Sequence, residues 1–77
     1  MELRFTAVYE EVPREDGGGF VAYVEELPGA ITQGDSHDEA RQNLRDAVEL
    51  LLEANRELAK ETQSGRKVIH EPIAVSI

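Results

Sequence analysis

Seventy-seven residues carry sixteen Asp and Glu against eight Lys and Arg, a net charge of −8, which repels phosphate backbones and argues against direct nucleic-acid binding. There is no cysteine, so disulfides and thiolate metal sites are excluded as staples. No segment approaches the roughly 20 apolar residues of a membrane span, and Met1-Glu2-Leu3-Arg4-Phe5 lacks the apolar run of a signal peptide. A cytoplasmic protein with no membrane association is therefore expected.

A chain this short buries only about 60% of the surface that its unfolded form exposes. Self-association often completes such a core, so a homo-oligomer, dimer or tetramer, is expected. The acidity favours basic protein partners, with association rates that fall as salt rises.

In chain order, Leu3, Phe5, Ala7 and Tyr9 alternate with Arg4, Thr6, Val8 and Glu10, the period of a first strand. A polar loop from Val12 ends in Gly17-Gly18-Gly19 and is expected to be the most mobile segment. These glycines do not read as a phosphate cradle, because no Lys-Ser/Thr pair and no helix follows, and Glu15-Asp16 would repel phosphate. Phe20, Ala22 and Val24 then alternate with Val21, Tyr23 and Glu25 as a second strand. Leu27-Pro28-Gly29 breaks it: Pro28 has no N–H to donate and Gly29 can take positive φ. Ala30-Ile31-Thr32-Gln33 reads as a third strand, stopped by Gly34.

Ser36 stands three residues before Glu39, the spacing of a capping box. The helix that follows is expected to run from Ser36 to about Glu61. Ala40, Leu44, Ala47, Val48, Leu51 and Leu58 form its apolar stripe, widened by Leu50, Leu52 and Ala54. About twenty-five helical residues would span roughly 37 Å, longer than a small sheet is wide, so the helix should overhang. Gly65 serves as a left-handed terminator. Val68, Ile69, Ile73, Val75 and Ile77 read as a last strand, in which Pro72 demands an edge position or a bulge. The resulting order is β-β-β-α-β, an α+β domain over residues 1–77 with one antiparallel or mixed sheet and the long helix packed on one face.

The run of Gly18-Gly19, Phe20, Ala22, Glu26-Leu27-Pro28-Gly29, Gly34-Asp35, Glu39-Ala40, Asn43 and Ala47 resembles the HicB-like antitoxin family, in a short form confined to its N-terminal domain. The resemblance covers the N-terminal two thirds closely and the remainder only as a pattern. It implies a degraded RNase H-like fold and a strand order that the sequence itself does not supply. It also implies a role in a toxin–antitoxin system.

RNase H-type nucleases place a carboxylate mid-way along strand one as part of a two-metal cluster. Here Glu2 and Glu10 stand at the strand's ends and the centre reads Phe5-Thr6-Ala7, so no nuclease and no enzyme is expected. His37 is expected to be solvated beside Asp35 and Asp38, and His70 to be a strand residue near Glu71; with no third ligand at hand, no metal is expected. Ser36 reads as a cap rather than a nucleophile, since no base stands near to activate it. No catalytic residue and no cofactor is assigned. Gly19, Leu27, Pro28, Gly29, Gly34, Ser36 and Glu39 form the structural motif.

Glu49, Glu53, Glu57 and Glu61 follow one another at i, i+4 and line one ridge, where like charges cost a few tenths of a kcal/mol per pair. The ridge reads either as an ordinary solvated face or as a docking strip for a basic partner, with Glu49, Glu53 and Glu57 its contact residues. The resemblance supplies such a partner, a HicA-type toxin that cleaves RNA. Many family members add a DNA-binding segment that this chain does not show before Ile77, so direct operator binding is not expected. The alternative function is an oligomeric structural or regulatory module that binds a metabolite or another protein and has no toxin.

Overall fold

The computed structural model describes residues 4–75. Three strands and one long helix follow in the order β1 (Ala7–Glu11), β2 (Phe20–Val24), β3 (Ile31–Gly34) and α1 (His37–Gln63). The architecture is α+β, with an antiparallel sheet in the order β1-β2-β3. The β1–β2 loop contains a short 3-10 turn, Arg14–Asp16, and is closed by Val12 N–H donating to the Gly19 carbonyl at 2.9 Å.

The strands are shorter than their alternation predicts. Residues 4–6 precede β1, Leu3 lies outside the described residues, and β3 is shifted by one to begin at Ile31. The last strand is a larger departure. Among the described residues, 67–75 form no strand, and Ile77 lies outside them. The cause is geometric: a 27-residue helix is roughly 40 Å long, whereas five residues of strand span roughly 17 Å. The helix thus carries the chain well past the sheet before the segment begins. A radius of gyration of 16.3 Å, against about 11.5 Å for a compact domain of this length, records that overhang.

The helix lies across β2 and β3 and leaves β1 largely uncovered. The core is small: Ala22, Val24, Ala30, Ala40 and Leu44, with Tyr9, Phe20, Leu27, Val48 and Leu51 packed around it. The alanines are there because the helix comes very close to the sheet. A Cβ on Gly34 would stand 2.5 Å from the Ala40 backbone nitrogen, so only glycine allows that crossing. Beyond Leu51 the apolar stripe loses its support, and Leu58 is 61% exposed.

Candidate functional site

The turn and cap motif folds as its residues dictate. Gly29 holds φ +97° and Gly19 φ +78°, left-handed values that glycine takes without the Cβ penalty. A Cβ on Gly19 would also meet the Gly34 carbonyl oxygen at 2.6 Å. Leu27 and Pro28 form the turn between β2 and β3, where Ala30 N–H donates to the Leu27 carbonyl at 3.1 Å. The Ser36 hydroxyl accepts from Glu39 N–H at 3.1 Å, so this side chain is committed to the helix terminus. Glu39 reaches back one residue further than a standard box, its carboxylate accepting from Asp35 N–H at 3.3 Å. These residues build the scaffold of the turn and the helix start.

Both histidines sit differently from their expected places. His37 is exposed, yet its ring meets Tyr9 edge-on at 4.5 Å between centroids, with Phe20 at 6.0 Å. The Arg41 guanidinium lies 3.4 Å from its Nδ1. The helix start over the end of β1 brings the imidazole onto those rings instead of leaving it among Asp35 and Asp38. His70 belongs to no strand and contacts the Gln63 side-chain oxygen through Nε2 at 2.9 Å, closing the chain back on the helix end. Among the described residues, no three His, Cys, Asp or Glu side chains come together as a metal site. No helix there is long and apolar enough to cross a membrane.

The acidic ridge stands open to solvent at Glu49, Glu53 and Glu57. Glu57 pairs with Lys60 at 3.3 Å, both side chains being largely exposed. Glu49 and Glu53 have no ion-pair partner among the described residues. Leu52 and Arg56 flank the ridge beside Glu49 and Glu53. Carboxylates on an exposed helix face present a row of negative charge, which Lys60 offsets only at Glu57.

Three features are absent from the sequence reading. Glu26 clasps Thr6 twice, accepting at 2.7 Å from its backbone N–H and at 2.7 Å from its hydroxyl. These bonds tie the β2–β3 turn to the start of β1 and hold the Glu26 carboxyl below its ordinary value. Asn43 donates to the Gln33 carbonyl at 2.9 Å, satisfying the free edge of β3 from the helix. The third is an open groove between β1 and α1, about 470 Å³, lined by Phe5, Ala7, Tyr9, Leu44 and Val48 with Arg41, Arg45 and Glu49 at its rim. The period-two pattern of β1 hinted at an inward face, but nothing in the sequence shows that the helix leaves it uncovered. A second hollow, beside Gly17 and Gly18, is bordered by Asp16, Asp35 and Glu39, the wrong charge for an anion.

No family model matches the chain, and no solved structure does. Three curated proteins are similar to it. A UPF0150 protein from Synechocystis sp. (strain PCC 6803) is 38% identical over 53 residues, 69% of this chain and 69% of that protein. A UPF0150 protein from Helicobacter pylori (strain J99) is 42% identical over 41 residues, 53% of this chain and 57% of its own length. One from Thermotoga maritima is 41% identical over 49 residues, 64% of this chain and 63% of its own length. The matches thus span between just over half and about two thirds of the relatives. With that identity over more than two thirds of the chain in the Synechocystis protein, the chain belongs to the UPF0150 family.

Proposed function

We propose that this protein is a non-enzymatic antitoxin of the HicB-like class, which neutralises a basic, RNA-cleaving HicA-type toxin by covering it. The UPF0150 family is HicB-like, which supports the reading at the level of family. The observation that carries it is the exposed ridge of Glu49, Glu53 and Glu57 on a chain of net charge −8. An RNA-cleaving protein must present a basic surface to its substrate, and an exposed row of carboxylates, of which Glu49 and Glu53 have no ion-pair partner among the described residues, has the complementary sign. Neutralisation by occlusion needs no catalytic group. The site of action is the cytoplasm, where the toxin meets RNA.

The test is a ribonuclease assay with a basic, RNA-cleaving protein of the HicA type. Cleavage is expected to stop when the two are present in equal amounts. A variant with Glu49, Glu53 and Glu57 all changed to Gln should associate more slowly and with a weaker salt dependence. It should fold at least as well as the parent, because like-charge neighbours have been relieved. An unchanged association rate across a salt series would remove the ridge from the contact surface, and undiminished cleavage at excess chain would sink the antitoxin reading.

A further inference from the structure

The groove beside β1 and the strandless segment 67–75 are complementary, and their backbone polarity says which copy of the chain joins them. Thr6 accepts from Glu25 N–H at 3.0 Å and Val12 donates to the Gly19 carbonyl at 2.9 Å, so the even residues of β1 face β2. Since strand amides alternate in direction, Ala7, Tyr9 and Glu11 point theirs at the free edge, where no further strand lies among the described residues. The same residues, with Phe5, turn their side chains to the helix side, where Ala7 and Tyr9 pair with the buried Val24 and Ala22.

The segment has a matching periodicity. Ile69, Glu71, Ile73 and Val75 share one face, and Ile69 and Ile73 are 89% and 87% exposed, leaving an apolar row with one carboxylate. Pro72 has the opposite parity. An edge formed by the even residues therefore lacks one donor and has a proline ring pointing into the ladder, so the segment can pair only through its odd amides. With odd amides turned to β1 and odd side chains turned into the groove, the geometry permits one strand direction. Directly opposed residues share a face and face each other's amides only in an antiparallel pair. The groove then receives Ile73 and Val75 against Ala7, Phe5, Leu44 and Val48. Glu71 falls near Arg41 and Arg45, of which Arg45 has no ion-pair partner among the described residues.

A chain cannot supply this strand to itself. The helix starts at Tyr9, where His37 packs, and runs past Phe5, opposite to β1. A segment turning back from Gln63 would enter the groove at the Phe5 end and run parallel to β1. We infer that residues 68–75 of a second copy add an antiparallel fourth strand to the free edge of β1, and that the exchange is reciprocal. In the register that sets Glu71 opposite Tyr9, Ile73 lies opposite Ala7. This surface shares only Glu49, at the groove's rim, with the acidic ridge, and it does not depend on the antitoxin reading.

The absence of cysteine from the chain makes the test direct. Opposed Cα atoms in a hydrogen-bonded antiparallel pair lie about 5.5 Å apart, within disulfide range. Ala7→Cys protein is mixed in turn with each of six single variants, Ile69→Cys, His70→Cys, Glu71→Cys, Ile73→Cys, Ala74→Cys and Val75→Cys, and oxidised. Heterodimeric cross-links are expected with the odd positions, strongest with Ile73→Cys, and weak or absent with His70→Cys and Ala74→Cys. The parent should scatter light as a species of twice 8.6 kDa, and Ile73→Asp should return it to a monomer with its helical circular dichroism intact. Cross-linking through the even positions would overturn the inference. So would a cross-linked monomer from the Ala7→Cys, Ile73→Cys double variant, or a monomeric parent at micromolar concentration.

Discussion

The helix treats the two edges of the sheet differently. On the β3 side the helix backbone comes almost into contact with the strand: Gly34 leaves no room for a side chain beneath Ala40, and Asn43 caps the Gln33 carbonyl. On the β1 side the helix stands away, and the gap is an open groove floored by Phe5, Ala7 and Tyr9. One edge is packed closely beneath the helix; the other is held by β2 and by the Thr6–Glu26 clasp. The difference shows how a small domain can concentrate its stability on one side and keep an edge available on the other.

Substitutions on each side sharpen that contrast. Gly34→Val should do the most damage, since the obstructing Ala40 atoms are backbone and cannot turn aside; a loss of about 3 kcal/mol or more is expected. Denaturant unfolding measures it, and an unmoved midpoint would mean that the helix does not seat on β3. Leu44→Ala, which empties the core beneath the same contact, should cost about 2–4 kcal/mol in the same measurement. Gly29→Val comes next, at about 1–3 kcal/mol. Its new Cβ would sit at an ordinary 3.5 Å from Leu51, so the cost arises from φ and not from a clash. Asn at the same position, which tolerates left-handed backbone, should recover part of the loss.

The smallest effect belongs to the β1 side. Glu26→Gln should weaken the Thr6 clasp only slightly, because the carboxylate is exposed. Its signature is a pH dependence. The folded carboxyl titrates below its ordinary value of 4.5, so its contribution is present above that pH and lost as pH falls through the lowered value. Parent and variant midpoints should therefore differ most near neutrality and converge in acid. A difference that persists unchanged at low pH would assign the effect to something other than the charge.

Local signals carried most of the fold. Alternation marked three strands, the Ser36–Glu39 spacing marked the helix start, and Gly29 and Gly65, at φ +97° and +75°, took the left-handed values expected of them. What failed depended on placement in space. The alternation of residues 68–77 is that of a strand, but a strand needs an edge to pair with, and periodicity cannot say where the helix leaves the chain. The Tyr9–His37 contact, the Asn43 bond and the groove likewise follow from the way α1 crosses the sheet. Glu26 was visible as part of the turn motif, but its partner lies twenty positions away.

The overhanging half of α1 also divides the helix thermodynamically. From His37 to about Leu51 each turn is anchored on the sheet; beyond it, the backbone bonds rest on helical propensity alone. Glu57 and Glu61 stand close to the negative end of the helix dipole, which disfavours them there. Amide hydrogens of the distal turns should therefore exchange faster than those above β2 and β3, even though all belong to one continuous helix. Positive charge brought to the distal half would slow that exchange turn by turn, so the exchange rate along the overhang would read the electrostatic surroundings of each turn.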